Sequence, residues 1–208
     1  MIDSITITNK DYKKRSKLST INFSSGTNIL IGPNGCGKST IISLLISEID
    51  RDKSNLTKYR DLKYSGKFNV YHKDFEKDNP RTKQSIEYSK CVGFDLHSRF
   101  CSHGEVGIVL IEFLKKIKEP VCIIVDEPEI ALDANNLIKV KKIFEHLSSF
   151  CQIIISTHNL ILWSIKDANI IEFSKDYFKK SIQSYLASID SLKTKGEQNV
   201  LVRYRNKR

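Results

Sequence analysis

The run Gly32-Pro33-Asn34-Gly35-Cys36-Gly37-Lys38-Ser39-Thr40 follows the apolar stretch Asn28 to Ile31 and precedes Ile41 to Ile46, which reads as strand, glycine loop and helix in order. The glycines let the backbone turn its N–H groups inward around phosphate oxygens, and the helix start adds a partial positive charge. Lys38 can reach the β- and γ-phosphates of a nucleotide, and Ser39 can ligate Mg²⁺. A chain carrying this pattern has to build a strand that ends against a helix N-terminus.

With 208 residues the chain has room for one well-buried core, so one α/β domain with a short appendage is expected. The longest uninterrupted apolar run is Val121 to Val125, and the N-terminus has neither a basic start nor an apolar signal core. These features predict a soluble, cytoplasmic protein with no membrane partner. Five cysteines, at positions 36, 91, 101, 122 and 151, form no C-x-x-C pair, which fits a reduced compartment and no zinc site. Cys36 sits in the glycine loop, where neighbouring N–H groups and Lys38 can activate a thiol, but the favoured reading is a small tolerated side chain.

Net charge is 34 − 24 = +10, which invites a polyanion such as nucleic acid as partner. Residues 174–208 hold nine Lys/Arg against three acids, +6 of that total, and residues 51–67 hold six against Asp52 and Asp61. A solvated charged face explains each segment equally well.

Ile2 to Thr8 alternates apolar and polar residues and predicts an edge or half-buried strand; Asn28 to Ile31 predicts a buried one. Residues 9–27 then form a hairpin with a basic tip at Lys13-Lys14-Arg15. Arg51 to Gly66 reads as loop or small surface element, and a strand follows near Lys67 to Tyr71. Residues 105–118 place Leu110, Phe113, Leu114 and Ile117 at helical spacing, before the buried strand at Val121 to Val125. A helix over 134–148 and a strand over Gln152 to Ser156 complete an alternation that argues for a mostly parallel sheet with helices on its faces. Beyond Phe173 a further helix, capped by Ser174, leads into a basic end, 193–208, expected to be poorly ordered.

The strand Val121 to Val125 ends in adjacent carboxylates, Asp126 and Glu127, followed by Pro128. Such a pair can simply terminate a strand and cap the next helix. Beside a phosphate loop the stronger reading is that Asp126 holds Mg²⁺ and Glu127 faces the attacking water. Ser102-His103-Gly104-Glu105 has the form of a helix capping box, and a capped helix start that contains glycine is also an anion site.

Taken together, GPNGCGKST, SHGE, IIVDEPE, Ala131-Leu132-Asp133 and Ser156-Thr157-His158-Asn159 resemble, in the same order, the motifs of ABC-class P-loop ATPases. The likeness is greatest to the soluble branch that includes SMC and DNA-repair ATPases and to the predicted AAA-type ATPases of bacterial genomes and defence loci. It spans about residues 2–173. The resemblance implies a mostly parallel central sheet flanked by helices, antiparallel N-terminal strands and a reduced helical subdomain. It divides the chain into an ATPase domain, 1–173, and a basic C-terminal helix and tail, 174–208.

Residue by residue, it implies that Asn34, Gly35, Cys36, Gly37, Lys38, Ser39 and Thr40 hold ATP, with Ser39 and Asp126 on Mg²⁺ and Glu127, Lys38 and His158 in catalysis. Ser102 and Gly104 match the signature loop that touches ATP held by the opposite subunit, and Asp133 matches the aspartate at that interface. The signature reads SHGE where SGGQ or SSGE is commoner. No glutamine follows the strand near 67–71, where the family places one; Asp74 and Glu76 lie in that region, and Tyr12 is the candidate for stacking on adenine.

Sixty-three residues separate Lys38 from Ser102, few for the helical subdomain of a transporter subunit and far too few for coiled arms. The expected protein is a minimal ATPase whose two copies close head to tail over two ATP molecules and gate a separate effector or nuclease, in DNA repair or bacterial defence. The alternatives are a transporter's nucleotide-binding subunit and a non-hydrolysing ATP-dependent interaction module.

Overall fold

The computed structural model describes residues 1–7, 18–49, 60–64, 69–74 and 111–205. Strands β1 (Ile2–Ile7), β2 (Thr20–Asn22) and β4 (Arg60–Tyr64) form an antiparallel sheet in the order β2-β1-β4. The central sheet is wholly parallel and runs β5 (Asn69–Asp74), β6 (Val121–Asp126), β7 (Gln152–Ser156), β3 (Thr27–Ile31), β8 (Asn169–Glu172). The helices among the described residues include α1 (Lys38–Ile49), α2 (Ala134–Leu147), the short α3 (Leu160–Trp163) and α4 (Tyr177–Arg205).

Strands β3, β6 and β7 are buried at every position, which is why they read as unbroken apolar runs. Alternation along each strand still decides which core a side chain joins. Ile29, Ile31, Ile123, Val125, Ile153 and Ile155 face one side with Leu137, Val140, Phe144 and Leu147, the stripe of α2 spaced by three and four. Leu30, Cys122, Ile124 and Ile154 face the other, where Ile41, Ile42 and Leu45 of α1 pack with Ile2, Ile5 and Ile7 of β1. Phe144 is fully buried, and cutting it to alanine would cost about 3–5 kcal/mol.

A buried amide joins the two sheets. Gln152 Nε2 donates to the carbonyls of Ile2 (2.7 Å) and Ser24 (2.9 Å), and its Oε1 accepts from Ile2 N–H at 2.7 Å. Asn28, also buried, accepts from Ser24 N–H at 2.7 Å and returns a bond to the Ser24 carbonyl at 3.0 Å.

Several expectations need correction. Residues 60–64 form a strand that pairs with β1, where a loop or surface element was expected, because backbone pairing at a sheet edge tolerates the charged sequence RDLKY. Strand β5 begins two residues later than the expected 67–71 and ends three later. The end expected to be poorly ordered is helical through Arg205. That helix begins at Tyr177 rather than at a Ser174 cap, and Glu172 accepts from its Phe178 N–H at 3.2 Å. Tyr177, Phe178 and Ile182 pack against the core, whereas Tyr185, Leu186, Ile189 and Leu192 farther along are exposed. The hairpin tip at 13–15, Tyr12, Glu76 and most of the expected helical subdomain lie outside the described residues.

Candidate active site

Strand β3 delivers the chain into the glycine loop, and α1 begins at Lys38. Gly35 and Gly37 have φ of 74° and 102°, a region L side chains rarely enter. Gly32 is required for space: a Cβ there would stand 2.7 Å from Cys36 Sγ and 2.8 Å from Phe173 Cβ. Lys38 is buried and donates from Nζ to the carbonyls of Gly32 (3.0 Å) and Pro33 (3.4 Å). Ser39 and Thr40 are exposed in the first turn of α1, where backbone N–H groups have no partner within the helix.

Opposite the loop, β6 ends beside β7, with Asp126 level with Ser156 and Ser156 level with Leu30. Asp126 is buried. The next residue, Glu127, adopts φ 48°, ψ 57° and donates its N–H to the Ser156 carbonyl at 2.9 Å. A left-handed glutamate costs about 1–3 kcal/mol, a strain that gathers at working sites. A 3₁₀ turn, Pro128–Ala131, follows.

The segment after β7 completes the ring. Glu129 accepts from Thr157 Oγ1 at 2.7 Å and from His158 N–H at 2.5 Å. Burial pushes the Glu129 carboxyl above its ordinary range, only partly offset by these bonds. The His158 Nδ1 stands 3.4 Å from Tyr177 Oη, and its Nε2 is buried with no hydrogen-bond partner among the described residues. Burial, then the charge of Lys38, lowers the His158 pKa, so the ring is neutral at pH 7. Trp163 donates from Nε1 to the Thr157 carbonyl at 3.1 Å and fixes the same segment from behind.

Between these walls lies a cleft of about 700 Å³. Asn34, Gly35, Gly37, Lys38, Ser39 and Thr40 line one side; Glu127, Glu129 and His158 line the other. Loop, cation and carboxylates suit a nucleotide triphosphate. Ser39 lines the cleft, whereas Asp126 is buried and is not one of the lining residues; hydroxyl and carboxylate oxygens are the hard donors that Mg²⁺ takes.

No family model matches the chain. It is 26% identical to the zinc import ATP-binding protein ZnuC of Buchnera aphidicola, across 84% of this chain and 82% of that protein. The zinc import ATP-binding protein ZnuC of Wigglesworthia glossinidia brevipalpis is 29% identical, across 77% of each. A nucleotide-free ATP-binding cassette from an ABC transporter shares the fold at a TM-score of 0.51 and 16% identity, covering 83% of this chain and 88% of that one. The chain is an ABC-class P-loop ATPase.

Of the site residues expected for this ABC-class ATPase, the structure brings the loop, Lys38, Ser39, Thr40, Glu127 and His158 around one cleft. Cys36 instead turns into the core beside Ile41 and Phe173. Asp133 is exposed and caps α2, accepting from Asn136 N–H at 2.8 Å. Ser102 and Gly104 lie outside the described residues. Glu129 is the cleft residue that sequence reasoning left without a role. Its partners are 28 and 29 positions away, so only the acid's presence in DEPE signalled it.

Proposed function

We propose that this ABC-class ATPase is the ATP-binding subunit of a solute importer, in which two copies close head to tail over ATP. The observation that carries the reading is the pair of import ATP-binding proteins, each aligned over more than three quarters of both chains. These relatives reverse the weighting drawn from the short Lys38–Ser102 interval, which disfavoured a transporter and a membrane partner. Import needs a path through a bilayer, and among the described residues no helix is long and apolar enough to cross one. In this reading a membrane-embedded partner supplies that path.

In this reading Asn34, Gly35, Gly37 and the first turn of α1 cradle the phosphates, and Lys38 shifts from its own loop carbonyls to phosphate oxygens. Ser39 and Asp126 would hold Mg²⁺, which would supply positive charge to offset that of the phosphates. Glu127 orients the attacking water and takes its proton. His158, neutral and carried on a fixed backbone, presents Nε2 toward the γ-phosphate. Ser102 and Gly104 of a second copy, with Asp133 at the contact, complete the site, so ATP stabilises the closed pair through its higher affinity for that state.

The test is co-purification. The Glu127→Gln variant, tagged and trapped with ATP and Mg²⁺, should bring down an integral membrane protein from detergent-solubilised host membranes. Recovery of a nuclease or other non-membrane effector alone would overturn the importer reading in favour of a DNA-repair or defence ATPase. That second reading draws support from the nine basic residues against three acids in 174–208.

A further inference from the structure

We propose that Glu129 is a positioning residue that sets His158 and ties it to the turn carrying Glu127. The inference rests on the ATPase site described above and adds a residue to it. The carboxylate is the sole side chain described as gripping both the hydroxyl of Thr157 and the backbone N–H of His158, at 2.7 and 2.5 Å. It stands two residues beyond Glu127 in one tight 3₁₀ turn. Glu127 itself is bonded through its N–H to Ser156, the residue just before Thr157. The two segments are thus cross-linked twice, once through backbone and once through this carboxylate.

A hydrogen-bonded pair of this kind fixes direction as well as distance. The His158 ring has Tyr177 Oη on its Nδ1 side and its backbone N–H is held, so the position of the residue in the cleft wall is set from two directions. Displacement of the histidine by a bound γ-phosphate is then transmitted to the turn that carries Glu127.

The experiment uses the full chain with Glu129→Ala, Glu129→Gln, Thr157→Val and His158→Ala, assayed for Mg·ATP affinity, kcat and thermal melting. Glu129→Ala should lower kcat about ten- to a hundredfold while ATP affinity stays within about threefold. Glu129→Gln retains an acceptor for the His158 N–H and should recover most of the lost rate; Thr157→Val should fall between. Adding His158→Ala to Glu129→Ala should cost little more than His158→Ala alone, a non-additivity that loss of general stability would not produce. Wild-type kcat in Glu129→Ala, a Glu129→Gln variant as slow as Glu129→Ala, or additive losses would each overturn the assignment. If Glu129→Ala fails to fold, Glu129→Gln, Thr157→Val and the Thr157→Val/His158→Ala pair decide on the same criteria. Intact ATP affinity in Lys38→Ala would instead remove the parent site, and this inference with it.

Discussion

Lys38 Nζ donates to the carbonyl oxygen of Gly32 across 3.0 Å, so the loop's cation is bound to the loop's own first residue. ATP has to replace that bond with stronger charge-assisted ones. Lys38→Ala should therefore weaken Mg·ATP binding by about a hundredfold. Isothermal titration measures it, and unchanged affinity would remove the loop from the binding site.

Glu127→Gln keeps the side chain's shape and removes its ability to take a proton. Turnover should fall by about 10²–10⁴-fold with ATP still bound. On a sizing column with ATP and Mg²⁺ the variant should migrate as a dimer. A persistent monomer would count against the head-to-tail closure.

Gly32→Ala forces a methyl group into contact with Cys36 Sγ and Phe173 Cβ, at 2.7 and 2.8 Å. The expected loss is about 1–3 kcal/mol, seen as a lower melting temperature. Adding Cys36→Ala should return part of it, because the sulfur is one of the two obstacles. Equal melting of wild type and Gly32→Ala would show that the loop and Phe173 can separate at no cost.

His158 titrates below its ordinary value of 6.5 because burial and Lys38 disfavour its charged form. The unfolded chain therefore takes up the proton first, and stability is complete above about pH 6.5 and declines as pH falls through the lowered value. Glu129 acts in the opposite sense: its contribution is complete below its ordinary 4.5 and diminishes as pH rises through the raised value. On going from about pH 5.5 to 7.5 the urea midpoint should rise less, or fall more, in His158→Gln than in wild type. An identical difference would mean that the ring is not held neutral.

How far the sequence could be read depended on whether a contact is local. Val121 to Val125 announced itself because a parallel strand covered on both faces has no polar positions to dilute the run. The glycine loop did so because its backbone demands glycine at 35 and 37. Strand β4 did not: RDLKY carries three charges in five residues, and its pairing with β1 is a backbone affair that leaves no apolar signature. The helix past Lys193 was missed because basic residues and Gly196 suggest a frayed end, yet helical hydrogen bonds continue to Arg205. Glu129 was hidden for a different reason, since its meaning depends on which residues β7 brings beside it.

Gln152 carries a consequence for synthesis. Its bonds to Ile2 reach across 150 positions, so the opening strand cannot finish its buried contacts until β7 has been made. A nascent chain can pair its first strand with β2 and β4 early, yet the bonds of Ile2 to Gln152 wait through most of translation, and in that interval the strand's apolar face is open to chaperones or to neighbouring chains.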